Sequence, residues 1–113
     1  MTEETDVILN TETGVKHDSE KPPAALLPPL SLLGAARVLG MGAVKYSAHN
    51  WRGGIKYSRL LSAALRHLLA YIGGEDTDKE SGLSHIHHAV VNLMFLGEFI
   101  ETGRVELDDR YKS

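Results

Sequence analysis

From Ala89 to Gly97 the chain runs nine residues without a charge, and Asn92 is the one strongly polar side chain among them. The surrounding pattern reads as a helix from about 83 to 101, stopped by Gly103. A helix apolar nearly all round must be covered on more than one side. The chain is only 113 residues long, one domain at most, with room for a modest core. Three helices can hardly enclose one of their own number. The sequence therefore predicts that this helix, or the one before it, packs against a second copy of the chain. The expected assembly is a homo-oligomer, dimer or tetramer.

Composition narrows the function classes. Hydrophobic residues make up 42% and charged residues 24%, which excludes a disordered chain, a collagen and a coiled-coil rod. The absence of cysteine removes disulfides, thiolate metal sites and cysteine nucleophiles. No apolar run reaches membrane-spanning length, and the opening MTEETDVILN lacks the basic start of a signal peptide, so a cytoplasmic protein without a membrane partner is expected. A net charge of −3 speaks against a stable nucleic-acid complex.

Along the chain, three segments follow. Residues 1–28 read as an extended polar arm, broken by Pro22, Pro23 and Pro28, with a short strand at Val7–Leu9. Residues 29–103 read as an all-α domain. Its first helix spans about 30 to 46, with Pro28 or Pro29 in the first turn and Leu32, Ala36, Leu39 and Ala43 as its apolar stripe. A loop over 47–56 is marked by Asn50 and Gly53-Gly54. The second helix spans about 58 to 72, capped by Ser58, striped by Leu61, Leu65, Leu68 and Ile72, and ended by Gly73-Gly74. Residues 104–113 read as a charged, peripheral tail.

The net charge hides a segregation. Residues 21–74 hold seven bases (Lys21, Arg37, Lys45, Arg52, Lys56, Arg59, Arg66) and no acid. Four acids then fall within six residues: Glu75, Asp76, Asp78 and Glu80. Either block alone is what a solvated surface carries. Side by side they supply what a metal-bound polyphosphate needs: cationic donors and hard carboxylate oxygens.

The third helix places His85, His88 and Asn92 at i, i+3 and i+7, on one face. A lone histidine there would more often be a satisfied core residue; polar groups in line on a greasy helix point toward a site. His67 lies on the second helix, and the short intervening loop makes the two helices antiparallel neighbours. These histidines and the acidic loop can therefore meet, a donor set that suits divalent metals. The loop is no EF-hand: Ser81 stands where the glycine belongs, and His87 where the final glutamate belongs. Neither a P-loop, GxGxxG nor GxSxG is present, and His17-Asp18 lacks helical context. Trp51 either caps the core or stacks on a base, with Asn50 reading a base edge and Lys45-Tyr46 touching phosphate or sugar.

The stretch from Lys21 to Leu96 resembles a family of small phage proteins described as dATP/dGTP diphosphohydrolases, associated with phages that substitute 2-aminoadenine for adenine. The resemblance is carried by Lys21-Pro22, the LLPP segment, Gly42-Ala43-x-Lys45-Tyr46, Asn50-Trp51, Arg66-His67, Gly74-Glu75-Asp76 and Ser81-Gly82-x-x-His85-x-x-His88-Ala89. It implies a MazG-like all-α pyrophosphohydrolase that uses Mg²⁺ and acts in the host cytoplasm. The wider superfamily binds metal through an ExxE helix followed by an ExxD helix. Here Glu75-x-x-Asp78 and Glu98-x-x-Glu101 occur in reverse order, and the second helix has no acid. Two readings stay open: His67, His85 and His88 replace some carboxylates, or the superfamily link is loose.

The leading expectation is metal-dependent hydrolysis of a purine deoxynucleoside triphosphate to the monophosphate and pyrophosphate. Mg²⁺, or Mn²⁺, would be held by Glu75, Asp76, Asp78, His85 and His88, with Glu75, Asp76 and His67 at the chemistry. Lys21, Lys45, Tyr46, Asn50, Trp51, Arg59 and Arg66 would bind the nucleotide. The rival expectation is a phage protein that sequesters a nucleotide signal without cleaving it.

Overall fold

The computed structural model describes residues 20–112. The Val7–Leu9 strand, the His17-Asp18 pair and most of the N-terminal arm lie outside them. The described residues form an all-α domain. Its helices are α1 (Pro29–Lys45), α2 (Tyr57–Ile72) and α3 (His85–Glu101), with 3₁₀ turns before α1 at Ala24–Leu26, between α1 and α2 at Asn50–Gly53, and after α3 at Val105–Leu107. No strand is present among the described residues; Thr77 and Ser84 make one isolated antiparallel bridge. No helix there is long and apolar enough to cross a membrane.

Each boundary has a local cause. Pro29 opens α1, where a missing N–H costs nothing. Gly74, at φ 103°, closes α2 and lets the Glu75 N–H reach back to the Ala70 carbonyl at 3.0 Å. α3 starts at His85, later than the apolar pattern predicts, because Ser84 caps it and accepts from the Ile86 N–H at 3.1 Å. Ser58 is not the cap of α2. It sits inside the first turn, and its N–H donates to Asp109 Oδ1 at 2.8 Å. A carboxylate from the far end of the chain thus satisfies a free donor at a helix N-terminus, where negative charge is favoured.

Two apolar clusters build the core. Tyr57 and Leu60 of α2 pack with Phe99 and Leu107, flanked by Trp51, Ile55 and Leu96. Ala35 and Val38 of α1 pack with Val91 of α3, flanked by Leu83 and Val90. Phe95 borders both. The C-terminal segment is therefore not wholly peripheral: Leu107 is buried, and the Tyr57 hydroxyl donates to the Arg104 carbonyl at 3.3 Å.

The two expected stripes are corrected. α1 turns Gly34, Ala35 and Val38 inward, while Leu32 and Leu39 are exposed. The reason is steric: Gly34 meets the His87 ring of α3 so closely that a Cβ would lie 2.2 Å from Nε2. α2 buries Tyr57, Leu60 and Ala64, while Leu65 and Ile72 of the expected stripe are 57% and 77% exposed. Leu69, Leu93, Met94 and Ile100 are exposed as well.

Leu107→Ala should destabilise the fold by about 2–4 kcal/mol in urea unfolding, since the tail closes the α2–α3 core. Gly34→Ala should cost about 1–3 kcal/mol through overpacking, and adding His87→Ala should recover part of that loss.

Candidate functional site

The site forms where α2 ends and α3 begins. Arg66 and His67 stand on the last turns of α2, and His85 and His88 on the first turns of α3. The loop between them is closed on itself. The Asp78 N–H donates to the Leu83 carbonyl at 2.8 Å, the Gly82 N–H to the Asp78 carbonyl at 2.7 Å, and the His85 N–H to the Asp76 carbonyl at 3.1 Å. The Ser81 N–H donates to Asp78 Oδ2 at 2.9 Å, an Asx-type turn that sets the carboxylate.

His85 is the one buried polar side chain among the described residues, 4% exposed. Its Nε2 lies 2.7 Å from Glu75 Oε1, and its Nδ1 lies 2.8 Å from His67 Nδ1. An ionised carboxylate only accepts, so Nε2 donates to Glu75, and in the neutral ring Nδ1 is left with a lone pair. The His67 ring stacks on His88 with centroids 4.5 Å apart and planes 6° apart. His88 Nε2 is in turn 2.7 Å from Ser81 Oγ.

Donor atoms of His67, Asp78 and His85 all lie within 4.8 Å of one another, a group able to hold a metal ion. The electrostatics keep it ready. Burial, then the neighbouring His88 and His85, hold His67 below the ordinary histidine range, in its neutral form. Burial does the same to His88. For Asp78, burial pushes upward, but hydrogen bonds from Ser81 and the nearby His88 and His67 outweigh it and keep the carboxyl low. The His85 hydrogen bond, first, holds Glu75 below the usual carboxylate range.

Two cavities adjoin here. One, of about 490 Å³, is lined by Lys45, Arg66, His67, Asp78, Glu80 and His88 among others. The other, of about 240 Å³, is mainly apolar, with Val38, Trp51, Ile55, Phe95, Asn50 and Asn92 in its walls. Met41, Gly42, Tyr46 and His88 line both. A polar chamber beside an apolar one suits a ligand with an anionic end and a flat apolar end. The family described as "dATP/dGTP diphosphohydrolase, N-terminal" matches residues 11–110. The chain belongs to that family. A dATP/dGTP diphosphohydrolase from Salmonella phage PMBT28 is 42% identical over 98 residues, covering 87% of this chain and 33% of the relative. The chain thus spans about a third of that curated relative's length. No solved structure matches it.

For this family member, the sequence-derived residues divide into those gathered and those apart. Lys45, Tyr46, Arg66, His67, Asp78 and His88 meet at the polar chamber, with His85 and Glu75 near it. The five expected ligands are regrouped: Asp78 and His85 stand with His67, Glu75 takes the other nitrogen of His85, and His88 is bonded to Ser81. Asp76 engages through its carbonyl, with an exposed side chain outside the ligand group. Arg59 lines a third cavity, of about 460 Å³, that shares Arg66 with the polar one and Asn92 with the apolar one. Lys21 is exposed ahead of α1. Trp51 stacks on Phe95 at 4.5 Å and 15°, with the Arg52 guanidinium 4.4 Å from its centroid. Its ring faces are engaged within the protein, which favours the core-capping role. Sequence reading passed over Ser81, whose contacts fix both Asp78 and His88. Its signal was an Asp three residues ahead of a Ser-Gly turn.

Histidine ring-nitrogen NMR at neutral pH, on metal-free protein, should find His85 as the Nε2–H tautomer and His67 as the Nδ1–H tautomer. Glu75→Gln should broaden or shift the His85 signals, and an Nδ1–H assignment for His85 would contradict the arrangement.

Proposed function

We propose that this domain hydrolyses purine deoxynucleoside triphosphates, dATP or dGTP, to the monophosphate and pyrophosphate, with a divalent cation at His67, Asp78 and His85. The observation that carries the reading is the ligand group opening beside a chamber lined by Lys45 and Arg66, with an apolar chamber sharing its wall. A cation held there by His67, Asp78 and His85 would supply charge neutralisation for phosphate oxygens and an acidified water. Lys45 and Arg66 offer donors to the polyphosphate, Arg66 from a planar fork that suits it. Arg59 extends the basic wall from the neighbouring cavity. The base enters the apolar chamber, where Asn50 and Asn92 supply polar edges and Trp51 an apolar wall. The name of the phage relative, dATP/dGTP diphosphohydrolase, agrees with this reading.

We also propose that the domain works as a homo-oligomer. Leu65, Leu69 and Ile72 are exposed on α2, and Leu93, Met94 and Ile100 on α3, more apolar surface than isolated side chains leave on a monomer.

Incubation with each dNTP and a divalent cation should yield pyrophosphate from the purine substrates. Asp78→Ala should reduce the rate at least 100-fold, by analogy with the loss of a direct metal ligand. Arg66→Ala should raise KM about tenfold or more, as a charged hydrogen bond is worth about 1.5–3 kcal/mol. Nucleotide bound tightly and recovered intact would favour the sequestering alternative instead. Light scattering should give a multiple of the chain mass, and Leu69→Glu should lower it.

A further inference from the structure

The ligand group carries more information than its existence. Two of its members are imidazoles and one is a carboxylate. His85 cannot swing to present a different atom, because it is 4% exposed and its Nε2 is fixed on Glu75 at 2.7 Å. His67 cannot easily turn either, since His88 stacks on it at 4.5 Å and Ser81 holds His88 at 2.7 Å. The two Nδ1 atoms therefore face each other at 2.8 Å. Without a cation, a proton bridges them; a cation at about 2.0–2.1 Å from each nitrogen would displace that proton and lie off the line joining the two atoms, toward Asp78.

That geometry discriminates between ions. Mg²⁺ demands oxygen ligands and keeps several waters, so a donor group with Asp78 as its only oxygen serves it badly. The other acids do not make up the count: Glu75 is engaged by His85 and Lys79, Glu80 by Lys45, and Asp76 stands outside the group. Imidazole nitrogens suit the ions from Mn²⁺ to Zn²⁺ in rising order toward copper. The Glu75–His85 contact repeats the arrangement by which a carboxylate behind a metal-bound histidine fixes its tautomer and raises its basicity.

We infer that His67, Asp78 and His85 form a centre for a first-row transition dication, with Glu75 as its positioning carboxylate, and that Mg²⁺ is not its resident ion. The inference rests on the reading of this cluster as a metal centre but not on nucleotide hydrolysis.

The test uses the untagged full chain, stripped with chelator, and Co²⁺ alone as probe. Co²⁺ should produce visible ligand-field absorption that saturates at one ion per chain. Zn²⁺ should abolish the band, and a large excess of Mg²⁺ should leave it. His85→Ala and Asp78→Ala should remove the band, with circular dichroism confirming retained helix; His49→Ala should keep it. Glu75→Gln should keep the stoichiometry and weaken Co²⁺ binding by about 10–100-fold. No band, or displacement by Mg²⁺, overturns the assignment on the native protein even if a variant misfolds. Unchanged affinity in Glu75→Gln overturns the role of Glu75. Pyrophosphate release with Mg²⁺ and no Co²⁺ band would sink this inference and leave the proposed function. A Co²⁺ band with no hydrolysis would do the reverse.

Discussion

The hydrogen bond between Glu75 and His85, 2.7 Å long, spans the turn from α2 to α3, and the arrangement of the candidate site depends on it. Glu75 is placed by the glycine stop of α2, and His85 is the first residue of α3. Joining them closes the loop and aims the remaining His85 nitrogen at α2. His67 then meets it, His88 stacks on His67, and Ser81 ties His88 back to the loop that holds Asp78. The contacts lie within the loop or between the facing ends of α2 and α3, so the pairing of these two helices assembles the cluster. Buried polar networks of this kind are tolerable only when every member finds a partner, and here each one does.

The rest of the fold supports that hairpin from two sides. Phe95 borders both apolar clusters, so α1, α3 and the Trp51 turn share one central ring. α1 approaches α3 at a glycine, which seats the His87 ring where any larger residue would collide. The C-terminal segment does the corresponding work for α2, with Leu107 in the core and Asp109 on the first turn. α1 brings Met41, Lys45 and Tyr46 to the chamber mouth, so the cavity exists only when all three helices are docked.

Much of this was legible in the sequence. Proline and glycine punctuation marked the three helices, and the short loop placed His67 opposite His85 and His88. What was hidden depends on contacts between distant residues. The inward faces of α1 and α2 were misread because leucine spacing reports apolarity without saying which neighbour exists; Gly34, Ala35 and Ala64 won the interior by their smallness. Asp109 as a remote cap has no local signal, since it lies 51 residues from Ser58. Glu75 was expected as a metal ligand, and its contact with His85 had no signal, because sequence order does not say which side chain a carboxylate meets.

Lys45 and Glu80 meet at 3.2 Å across the mouth of the polar chamber, with side chains 53% and 79% exposed. An exposed pair of this sort is worth about 0–1 kcal/mol, less than a charge-assisted bond to phosphate. An anion drawn to Lys45 would therefore meet a paired ammonium and would have to displace the Glu80 carboxylate, which has solvent to turn to. The pair thus sets a small electrostatic threshold at this wall of the chamber, one that salt would lower.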